Sequence, residues 1–183
     1  MRKTKEEIRK ETLTELNNQQ REEIFKKSKI IKEKLFSLPE FKNAQYVMLY
    51  ASLDKEVNTD DIIDEALEAG KKVILPRRTS LETIVPKEIS DRKSDLEKNT
   101  YGIREPKRHL KDIPPERIDL IVVPGVAFDE KKRRIGRGKG CYDRFLRELP
   151  PGKTIIGLAF NFQVLKSIPE DSHDIPVSKI ITD

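Results

Sequence analysis

The sequence predicts an α/β fold, a single-domain three-layer sandwich in which a mostly parallel central sheet is flanked by helices. Short, nearly continuous apolar runs alternate along the chain with segments of helical periodicity. Two of these runs are joined by one helix with short connections, which makes parallel strand pairing the default. No internal repeat or low-complexity linker divides the chain, so a single domain over residues 1–183 is expected.

The N-terminal segment, about residues 4–37, predicts two helices packed on the α/β core. Thr4 and Glu7 form a T-x-x-E capping box. Apolar residues then recur at roughly helical spacing: Ile8, Leu13, Leu16, Ile24, Ile31 and Leu35. Asn17-Asn18 predicts a turn between the two helices, and Pro39 predicts the end of the second.

The next segment predicts a strand–helix–strand unit. Tyr46–Ala51 is apolar almost throughout, as in a strand that is buried on both faces. Thr59 is expected to cap a helix that ends at Gly70, and Lys72–Pro76 is the following strand.

The remaining elements are predicted from shorter patterns. Asp119–Pro124 gives the strongest strand signal in the chain. The other expected elements are strands at Leu81–Pro86, Thr154–Phe160 and Ile180–Thr182, an ordered loop at Thr100–Pro106, and a helix at about Tyr142–Leu149.

Composition limits the class of partner and the compartment. With 37 basic and 32 acidic residues the net charge is +5, which favours anionic partners such as nucleic acids, nucleotides or polyanionic cofactors without choosing among them. The single cysteine, Cys141, excludes an internal disulfide and fits a reducing compartment. No apolar run approaches the roughly 20 residues that span a bilayer, and no secretory signal is recognisable, so a cytoplasmic protein without membrane contact is expected.

The segment Arg134–Asp143 predicts a phosphate-binding loop. Gly136, Gly138 and Gly140 alternate with Arg137 and Lys139 between a buried strand and a helix, where backbone N–H groups bind phosphate. The spacing matches neither the Walker A loop nor the dinucleotide-binding G-x-G-x-x-G pattern. The alternative from composition alone is a flexible basic hairpin.

Asp143 follows this loop at the start of the predicted helix. An aspartate at that position commonly caps the helix. It would equally suit Mg²⁺ that bridges phosphate oxygens, because Mg²⁺ prefers one or two carboxylates together with phosphate and water. The residues alone leave both roles open.

A long segment resembles a known family. Residues 123–146, V-P-G-V-A-F-D-E-K-K-R-R-I-G-R-G-K-G-C-Y-D-R-F-L, are similar to the signature P-x-x-A-F-D-x-x-G-x-R-L-G-x-G-x-G-Y-Y-D-R of the 5-formyltetrahydrofolate cyclo-ligase (methenyltetrahydrofolate synthetase) family. Four further segments also resemble it in order: K-E-E-I-R-K, Y-A-S-L-D-K-E-V-N-T, Y-G-I-R-E-P and H-D-I-P-V-S-K-I-I-T-D.

The resemblance implies an ATP-dependent ligase. Family members use Mg-ATP to phosphorylate the formyl oxygen of 5-formyltetrahydrofolate, N10 then attacks the imidate phosphate, and loss of phosphate gives 5,10-methenyltetrahydrofolate. Mg²⁺ is the implied cofactor, and ATP and 5-formyltetrahydrofolate are the implied partners. We expect a monomer that binds no nucleic acid.

The resemblance also implies roles for particular residues. The ATP-binding residues would be Lys5, Arg9, Arg134, Gly136, Arg137, Gly138, Lys139, Gly140 and Tyr142. The folate-binding residues would be Ala51, Glu56, Arg137, Gly138, Lys139, Gly140 and Cys141. Arg137 and Lys139 would stabilise the transferring charge, and Asp143 and Asp174 would bind magnesium.

Two positions depart from the family pattern. Lys132 replaces the glycine usual after F-D, which suggests a somewhat different hairpin. Cys141 replaces the first tyrosine of Y-Y-D, which could alter the folate pocket. A nucleophilic Cys141 is not needed by the implied chemistry, and His109 and His173 lack the paired spacing of metal ligands.

Two rival classes remain at this point. A nucleic-acid-binding protein could use the basic loop, although residues 131–140 lack the interleaved aromatic side chains that stack on single strands. A kinase or ligase for another small acceptor is the second alternative.

Overall fold

The computed structural model describes residues 3–79 and 83–183, which fold around one central sheet. The helices are α1 Lys5–Asn18, α2 Arg21–Ser37, α3 Pro39–Asn43, α4 Asp60–Glu68, α5 Arg92–Asp95 and α6 Cys141–Arg147. The strands are β1 Tyr46–Met48, β2 Lys72–Arg78, β3 Ile84–Ile89, β4 Leu96–Lys98, β5 Arg104–Pro106, β6 Leu120–Val123, β7 Ala127–Asp129, β8 Arg134–Ile135, β9 Thr154–Leu158, β10 Val164–Leu165 and β11 Lys179–Ile181. Short 3-10 turns lie at Pro115–Arg117 and Asn161–Gln163.

The central sheet has six strands in the order β11-β9-β6-β1-β2-β3. Neighbouring strands run parallel from β11 to β2, and only the edge pair β2–β3 is antiparallel. The expected α/β class with a mostly parallel sheet is therefore confirmed. None of the helices in the described residues has the length and apolar composition needed to cross a bilayer.

Apolar side chains of successive strand residues pack on opposite faces of this sheet. Val47 and Leu120 belong to a cluster that includes residues of α2, α3 and α4. Met48 and Ile121, one residue further along, belong to a second cluster that includes Phe145 of α6. Burial on both faces explains why these strands read as continuous apolar runs instead of alternating ones.

The N-terminal helices form where the sequence predicts them. The Thr4 hydroxyl accepts a hydrogen bond from the Glu7 N–H, and the Glu7 carboxylate accepts from the Thr4 N–H, so the capping box is confirmed. Helix α1 ends at Asn18 and α2 begins at Arg21, so the chain does divide into two helices. The break lies at Gln19 and Gln20, just after the predicted turn at Asn17-Asn18, which forms the end of α1. Pro39 follows the end of α2 and also begins α3, because proline is well accommodated in a first helical turn.

Several local predictions are wrong or incomplete. The side chain of Thr59 does not cap α4: its hydroxyl donates to the Tyr50 carbonyl oxygen and accepts from the Ser52 N–H. The side-chain Oδ1 atom of Asn58 accepts from the Asp60 N–H instead. Strand β1 ends at Met48, earlier than predicted.

The expected loop at Thr100–Pro106 contains β5, which pairs antiparallel with β4. The strand expected at Leu81–Pro86 appears as β3, from Ile84 to Ile89. Leu81 and Glu82 lie outside the described residues.

A second, three-stranded sheet in the order β10-β7-β8 carries the basic segment. Asp129 has no exposed surface and stabilises the hairpin of β7 and β8. Its carboxylate accepts hydrogen bonds from the Lys131, Arg133 and Ile168 N–H groups and from the Arg133 guanidinium. Lys132 occupies the turn with φ of +65°, the left-handed conformation that glycine usually provides. The lysine therefore keeps a glycine-like backbone conformation at this turn.

The two sheets are joined by close packing of one aromatic ring. Phe128 of β7 is fully buried against Gly157 of β9 and Gly125. A Cβ atom at Gly157 would lie 2.4 Å from the Phe128 ring, and one at Gly125 would also lie 2.4 Å from it. Glycine is required at both positions because the ring occupies the space of a side chain.

We predict that Gly157→Ala destabilises the protein by about 1–3 kcal/mol, because an added methyl group overpacks the contact with Phe128. Urea unfolding measures the change in the free energy of unfolding. The same substitution in a Phe128→Leu background should cost clearly less, since the smaller side chain can yield. Equal costs in both backgrounds would contradict this account of the packing.

We predict that Asp129→Asn lowers the free energy of unfolding at neutral pH by about 2–4 kcal/mol. Burial would raise the pKa of Asp129, but the hydrogen bonds from Arg133 and from the backbone N–H groups outweigh it and hold the pKa below its usual value. The stabilisation is therefore present above the unfolded pKa of about 3.9 and is lost as the pH falls through the folded value.

The variant should consequently lose less stability than the unaltered protein as the pH falls from about 4 through the folded pKa of Asp129. Glu11→Gln is the control, because Glu11 forms an exposed pair with Lys3 and its loss should change stability by less than about 1 kcal/mol. Parallel acid-dependence curves for Asp129→Asn and the unaltered protein would contradict the prediction.

Candidate functional site

A cavity of about 320 Å³ opens at the carboxyl ends of the central parallel strands. The chain proceeds from β1 to β2 on one side of β1, whereas β6 on its other side leads to β9. Such a switch point leaves a crevice beyond the strand ends, which is where ligands bind in open α/β sheets. Tyr50 and Ala51, which follow β1, and Pro124 and Gly125, which follow β6, line this cavity.

The structure brings every site residue predicted from the sequence to this one cavity. These residues are Lys5, Arg9, Ala51, Glu56, Arg134, Gly136, Arg137, Gly138, Lys139, Gly140, Cys141, Tyr142, Asp143 and Asp174. They come from α1, from the segment after β1, from the loop between β8 and α6, and from the segment before β11. Their roles in binding and catalysis stay predictions.

Sequence reasoning missed other residues that line the cavity. Among them are Tyr50, Leu53, Arg78, Ile84, Ile103, Arg104, Glu105, Asp171 and His173. Arg78 lies just beyond the strand predicted at Lys72–Pro76, and Arg104 lies in the segment predicted as a loop. His173 directly precedes Asp174, which the sequence did predict as a site residue. Its position next to Asp174 could therefore have identified it.

The Arg134 side chain packs against the glycine loop, residues 136–140, at Gly136. Its side chain is only 3% exposed, and its Nη2 atom lies 2.9 Å from Oδ1 of Asp143. The guanidinium also lies 5.7 Å from the centre of the Tyr142 ring, and a Cβ atom at Gly136 would approach its Nη1 atom to 2.8 Å. Arg134 thus joins β8 to the first turn of α6, and Gly136 leaves room for it.

The loop itself offers unused backbone donors. The N–H groups of Arg137, Gly138 and Gly140 donate no hydrogen bond to any residue in ranges 3–79 and 83–183. Gly138 and Gly140 have positive φ values, +102° and +65°, which glycine adopts without strain. Successive free N–H groups in such a turn form a concave anion-binding surface.

Helix α1 contributes two cations to the same end of the cavity. Arg9 donates from Nε to the Gly136 carbonyl oxygen at 2.9 Å, which fixes the start of the loop. Lys5 donates to Asp171 at 2.8 Å and forms a second, shorter contact with Asp174. Burial would lower the pKa of Lys5, but hydrogen bonds to Asp171 and Asp174 outweigh it and raise the pKa.

Glu56 lies at the opposite side of the loop. Its Oε2 atom accepts from the Leu53 N–H at 3.0 Å, and its Oε1 atom accepts from Nη2 of Arg137 at 2.9 Å and from Nε at 3.2 Å. The Glu56 side chain is 14% exposed and the Arg137 side chain is 48% exposed. A fixed carboxylate is therefore paired with a cation whose side chain has room to move.

Two tyrosines form part of the wall between these groups. Burial raises the pKa of Tyr50 well above its usual value, and the nearby Glu56 carboxylate acts in the same direction. Burial likewise raises the pKa of Tyr142. Both phenols stay neutral at physiological pH, so they offer aromatic surface and hydroxyl groups, not negative charge.

The carboxylates of Asp143 and Asp174 each retain one oxygen for another ligand. Asp143 accepts from Arg134 and from the Ile175 N–H through Oδ1, and its Oδ2 atom accepts from no described residue. Asp174 accepts from Lys5 and from the Asp171 N–H through Oδ2. This donor set suits Mg²⁺, which takes one or two carboxylates together with phosphate and water.

Asp174 belongs to a further cluster of possible ligands. One ligand atom each from Asp171, His173 and Asp174 lie within 4.8 Å of one another. Burial would raise the pKa of Asp174, but hydrogen bonds from the Asp171 N–H and from Lys5 hold it below its usual value. Asp174 is therefore ionised at neutral pH, as a cation ligand must be.

Comparison with known proteins identifies the family. The model of the 5-formyltetrahydrofolate cyclo-ligase family matches residues 1–183. The chain belongs to this family. Its members are ligases, so the chain is an enzyme of that class.

Relatives and solved structures agree with this assignment. The chain is similar to the 5-formyltetrahydrofolate cyclo-ligase of Escherichia coli strain K12, with 33% identity over 153 residues that cover 81% of this chain and 84% of the relative. It is also similar to the NMR structure of Aquifex aeolicus 5,10-methenyltetrahydrofolate synthetase, with a TM-score of 0.85, 36% identity, and coverage of 97% of this chain and 88% of the other. A Mycoplasma pneumoniae 5,10-methenyltetrahydrofolate synthetase shares the fold with a TM-score of 0.80, 24% identity and 98% coverage of each chain.

Cys141 is one of the two positions where this chain departs from the family signature. It is the first residue of α6, is buried, and lies 3.9 Å through Sγ from Nη2 of Arg144. It lines the cavity beside Tyr142. A cysteine is smaller than the tyrosine of the signature, so this part of the wall carries less side-chain volume.

We predict that Asp143→Ala lowers the free energy of unfolding by about 3–5 kcal/mol, because it leaves the Arg134 guanidinium buried without its carboxylate. Asp143→Asn should cost clearly less, since an amide oxygen can still accept from Arg134. Urea unfolding of both variants tests this order. Equal and small losses for the two variants would show that Arg134 does not depend on Asp143.

Proposed function

We propose that this protein converts 5-formyltetrahydrofolate to 5,10-methenyltetrahydrofolate with cleavage of ATP to ADP and phosphate. One observation carries the proposal: the segments that resemble the family signature meet in one cavity, where a cation-rich glycine loop faces a wall that bears Glu56. The cavity volume, about 320 Å³, lies in the range of small-molecule sites.

The loop end of the cavity is suited to the triphosphate. Lys5 and Arg9 supply cations from α1, and Arg137, Gly138 and Gly140 supply backbone N–H groups. Charge-assisted hydrogen bonds to phosphate are roughly twice as strong as neutral ones. These groups and Arg134, Gly136, Lys139 and Tyr142 are the proposed ATP-binding residues.

The Glu56 end is suited to the pterin ring. A pterin presents neighbouring N–H donors on one edge and a flat face, so it needs a carboxylate and apolar or aromatic walls. Glu56 supplies the carboxylate, and Ala51 and Cys141 with the loop residues Arg137, Gly138, Lys139 and Gly140 are the proposed folate contacts. Leu53, Ile84 and Ile103 add apolar surface to the same cavity.

The proposed reaction proceeds in two steps. The formyl oxygen attacks the γ-phosphorus, the bond to the β-phosphate oxygen breaks, and ADP leaves. N10 then attacks the formyl carbon of the imidate phosphate and loses its proton, and the former formyl oxygen departs with phosphate. Phosphorylation turns a poor leaving group into a good one, and the protein contributes positioning and charge neutralisation.

Arg137 and Lys139 are the proposed catalytic residues. Both lie in the glycine loop and line the cavity. Preorganised cations at such a position stabilise negative charge as it shifts onto transferring oxygens. Lys139 also lies 5.8 Å from the centre of the exposed Tyr101 ring.

Asp143 and Asp174 are the proposed ligands of Mg²⁺. When bound, the ion would neutralise charge on the phosphate oxygens of ATP. Asp143 would at the same time keep Arg134 in place through its second oxygen. Helix capping, the alternative role of Asp143, is not supported, because its carboxylate accepts from Arg134 and Ile175.

The nucleic-acid alternative has little support from the arrangement of charges. Arg9, Arg134 and Arg137 turn into a cavity, where they bind Gly136, Asp143 and Glu56, respectively. A nucleic-acid groove would instead present cations along an open surface. Cytoplasmic location, a monomeric state and absence of nucleic-acid binding stay predictions.

We expect purified protein mixed with Mg-ATP and 5-formyltetrahydrofolate to produce the near-ultraviolet absorbance of 5,10-methenyltetrahydrofolate together with equal amounts of ADP and phosphate. Asp143→Asn should lower turnover about 100-fold or more, because it removes a charged ligand from the metal. The variant should remain folded, as judged by its unfolding curve.

The controls separate the proposal from its rivals. No product with any nucleotide or divalent cation would refute it, and ATP cleavage triggered only by another acceptor would favour the second kind of ligase or kinase. Full magnesium-dependent turnover by Asp143→Asn would refute the metal assignment alone.

A further inference from the structure

The guanidinium group of Arg137 can bind either of two partners, the Glu56 carboxylate or a phosphate of the proposed nucleotide. In the structure it donates two hydrogen bonds to Oε1 of Glu56. Its own backbone N–H belongs to the loop proposed for phosphate, and its neighbours Gly136 and Gly138 line the same cavity. One cation therefore connects the proposed folate end with the proposed nucleotide end.

In the ion pair of Arg137 with Glu56, the Glu56 carboxylate is held in place, whereas the Arg137 side chain is free to rotate. The Glu56 carboxylate is held by the Leu53 N–H through its other oxygen, and the Glu56 N–H donates to the Leu53 carbonyl oxygen at 3.0 Å. The backbone before Arg137 is held by the bond from Arg9 to Gly136. The Arg137 side chain is half-exposed, so rotation about its own bonds can carry the guanidinium elsewhere without moving the loop.

We infer that Arg137 couples the binding of the two ligands by exchanging Glu56 for phosphate when a hydrogen-bond donor of the folate takes its place on Glu56. The inference rests on the proposed function for the identity of the two ligands. The nucleotide alone would take Arg137 and leave Glu56 without a partner, and folate alone would take Glu56 and leave Arg137 without one. With both ligands bound, each charged group has a new partner. The free energy needed to separate the ion pair then opposes binding once, and not once for each ligand.

This exchange makes the two ligands bind cooperatively. By thermodynamic linkage, the nucleotide must tighten folate binding by the same factor as folate tightens nucleotide binding. A coupling of about fivefold or more is expected from the usual size of such effects. Without folate, Arg137 reaches phosphate only by leaving Glu56 without its partner, which would limit ATP cleavage without acceptor.

The first experiment measures nucleotide affinity without folate, so it does not depend on folate binding at all. Isothermal titration calorimetry with Mg²⁺ and the non-hydrolysable β,γ-imido analogue of ATP is the assay. Glu56→Gln should tighten binding about twofold to fivefold, because it weakens a half-exposed ion pair and frees Arg137. Arg137→Gln should weaken binding.

A double-mutant cycle distinguishes the release of Arg137 from the loss of the negative charge of Glu56. In the Arg137→Gln background, Glu56→Gln should have clearly less effect than in the unaltered protein. An equal effect in both backgrounds would mean that Glu56 acts on phosphate only by charge repulsion. That result would overturn the inference.

The second experiment measures the coupling itself. The affinity for the ATP analogue is determined with and without saturating 5-formyltetrahydrofolate, and then the folate affinity with and without the analogue. The unaltered protein should show the same factor, about fivefold or more, in both directions, and Arg137→Gln should reduce it to about one. Independent binding of the two ligands, or a factor unchanged in Arg137→Gln, would overturn the inference while the proposed function stands.

Arg78→Gln is the matched control. Arg78 lines the same cavity and pairs with another carboxylate, Glu105, at 3.3 Å, so its removal lowers the cavity charge equally without touching Glu56. The coupling factor should persist in this variant, and its loss would show that total charge, not Arg137, carries the coupling. Failure of 5-formyltetrahydrofolate to bind at all would overturn the proposed function and this inference together.

Discussion

The burial of one guanidinium group is the constraint on which the site depends. Arg134 lies almost without exposure beneath the glycine loop, with its charge balanced by Asp143 and its plane near the Tyr142 ring. A buried ion of this kind is tolerated only with a partner and hydrogen bonds. Asp143 must therefore lie in the first turn of α6, and Gly136 must have no side chain. The loop, the helix and the second sheet are fixed relative to one another by these requirements.

The cavity above Arg134 contains cations and carboxylates in pairs. Lys5 lies with Asp171 and Asp174, Arg134 with Asp143, and Arg137 with Glu56. Each pair lowers the cost of holding charge in a partly buried place. The pairs of Lys5 with Asp171 and of Arg137 with Glu56 each have one half-exposed partner, so a phosphate, a metal ion or a polar ligand edge can replace that partner. The pair of Arg134 with Asp143 is buried and persists. A site of this design can bind a polyanion without being a strongly positive surface in its absence.

Prediction from sequence succeeded where a local pattern has one physical solution. The apolar runs around Val47, Ile74 and Ile121 predicted buried strands, and the T-x-x-E pattern at Thr4 predicted the start of a helix, and the structure confirms both. It failed at Thr59, whose hydroxyl donates to the Tyr50 carbonyl oxygen, because the segment after β1 competes with the helix for the same group. The hairpin of β4 and β5 was also missed, since pairing between short polar strands leaves little pattern in either one.

The sequence by itself determined the fold class, the buried strands and the set of residues that resemble the cyclo-ligase signature. It could do so because burial, helix capping and glycine-rich turns leave periodic or local traces. The tertiary structure alone decided which charges meet. Glu56 and Arg137 are 81 positions apart, and Lys5 and Asp174 are 169 apart. No local pattern records such pairs, because they depend on where the strand order of the sheet brings the loop ends together. Cys141, one of the two residues that depart from the signature, is likewise placed on the cavity wall only by the packing of α6.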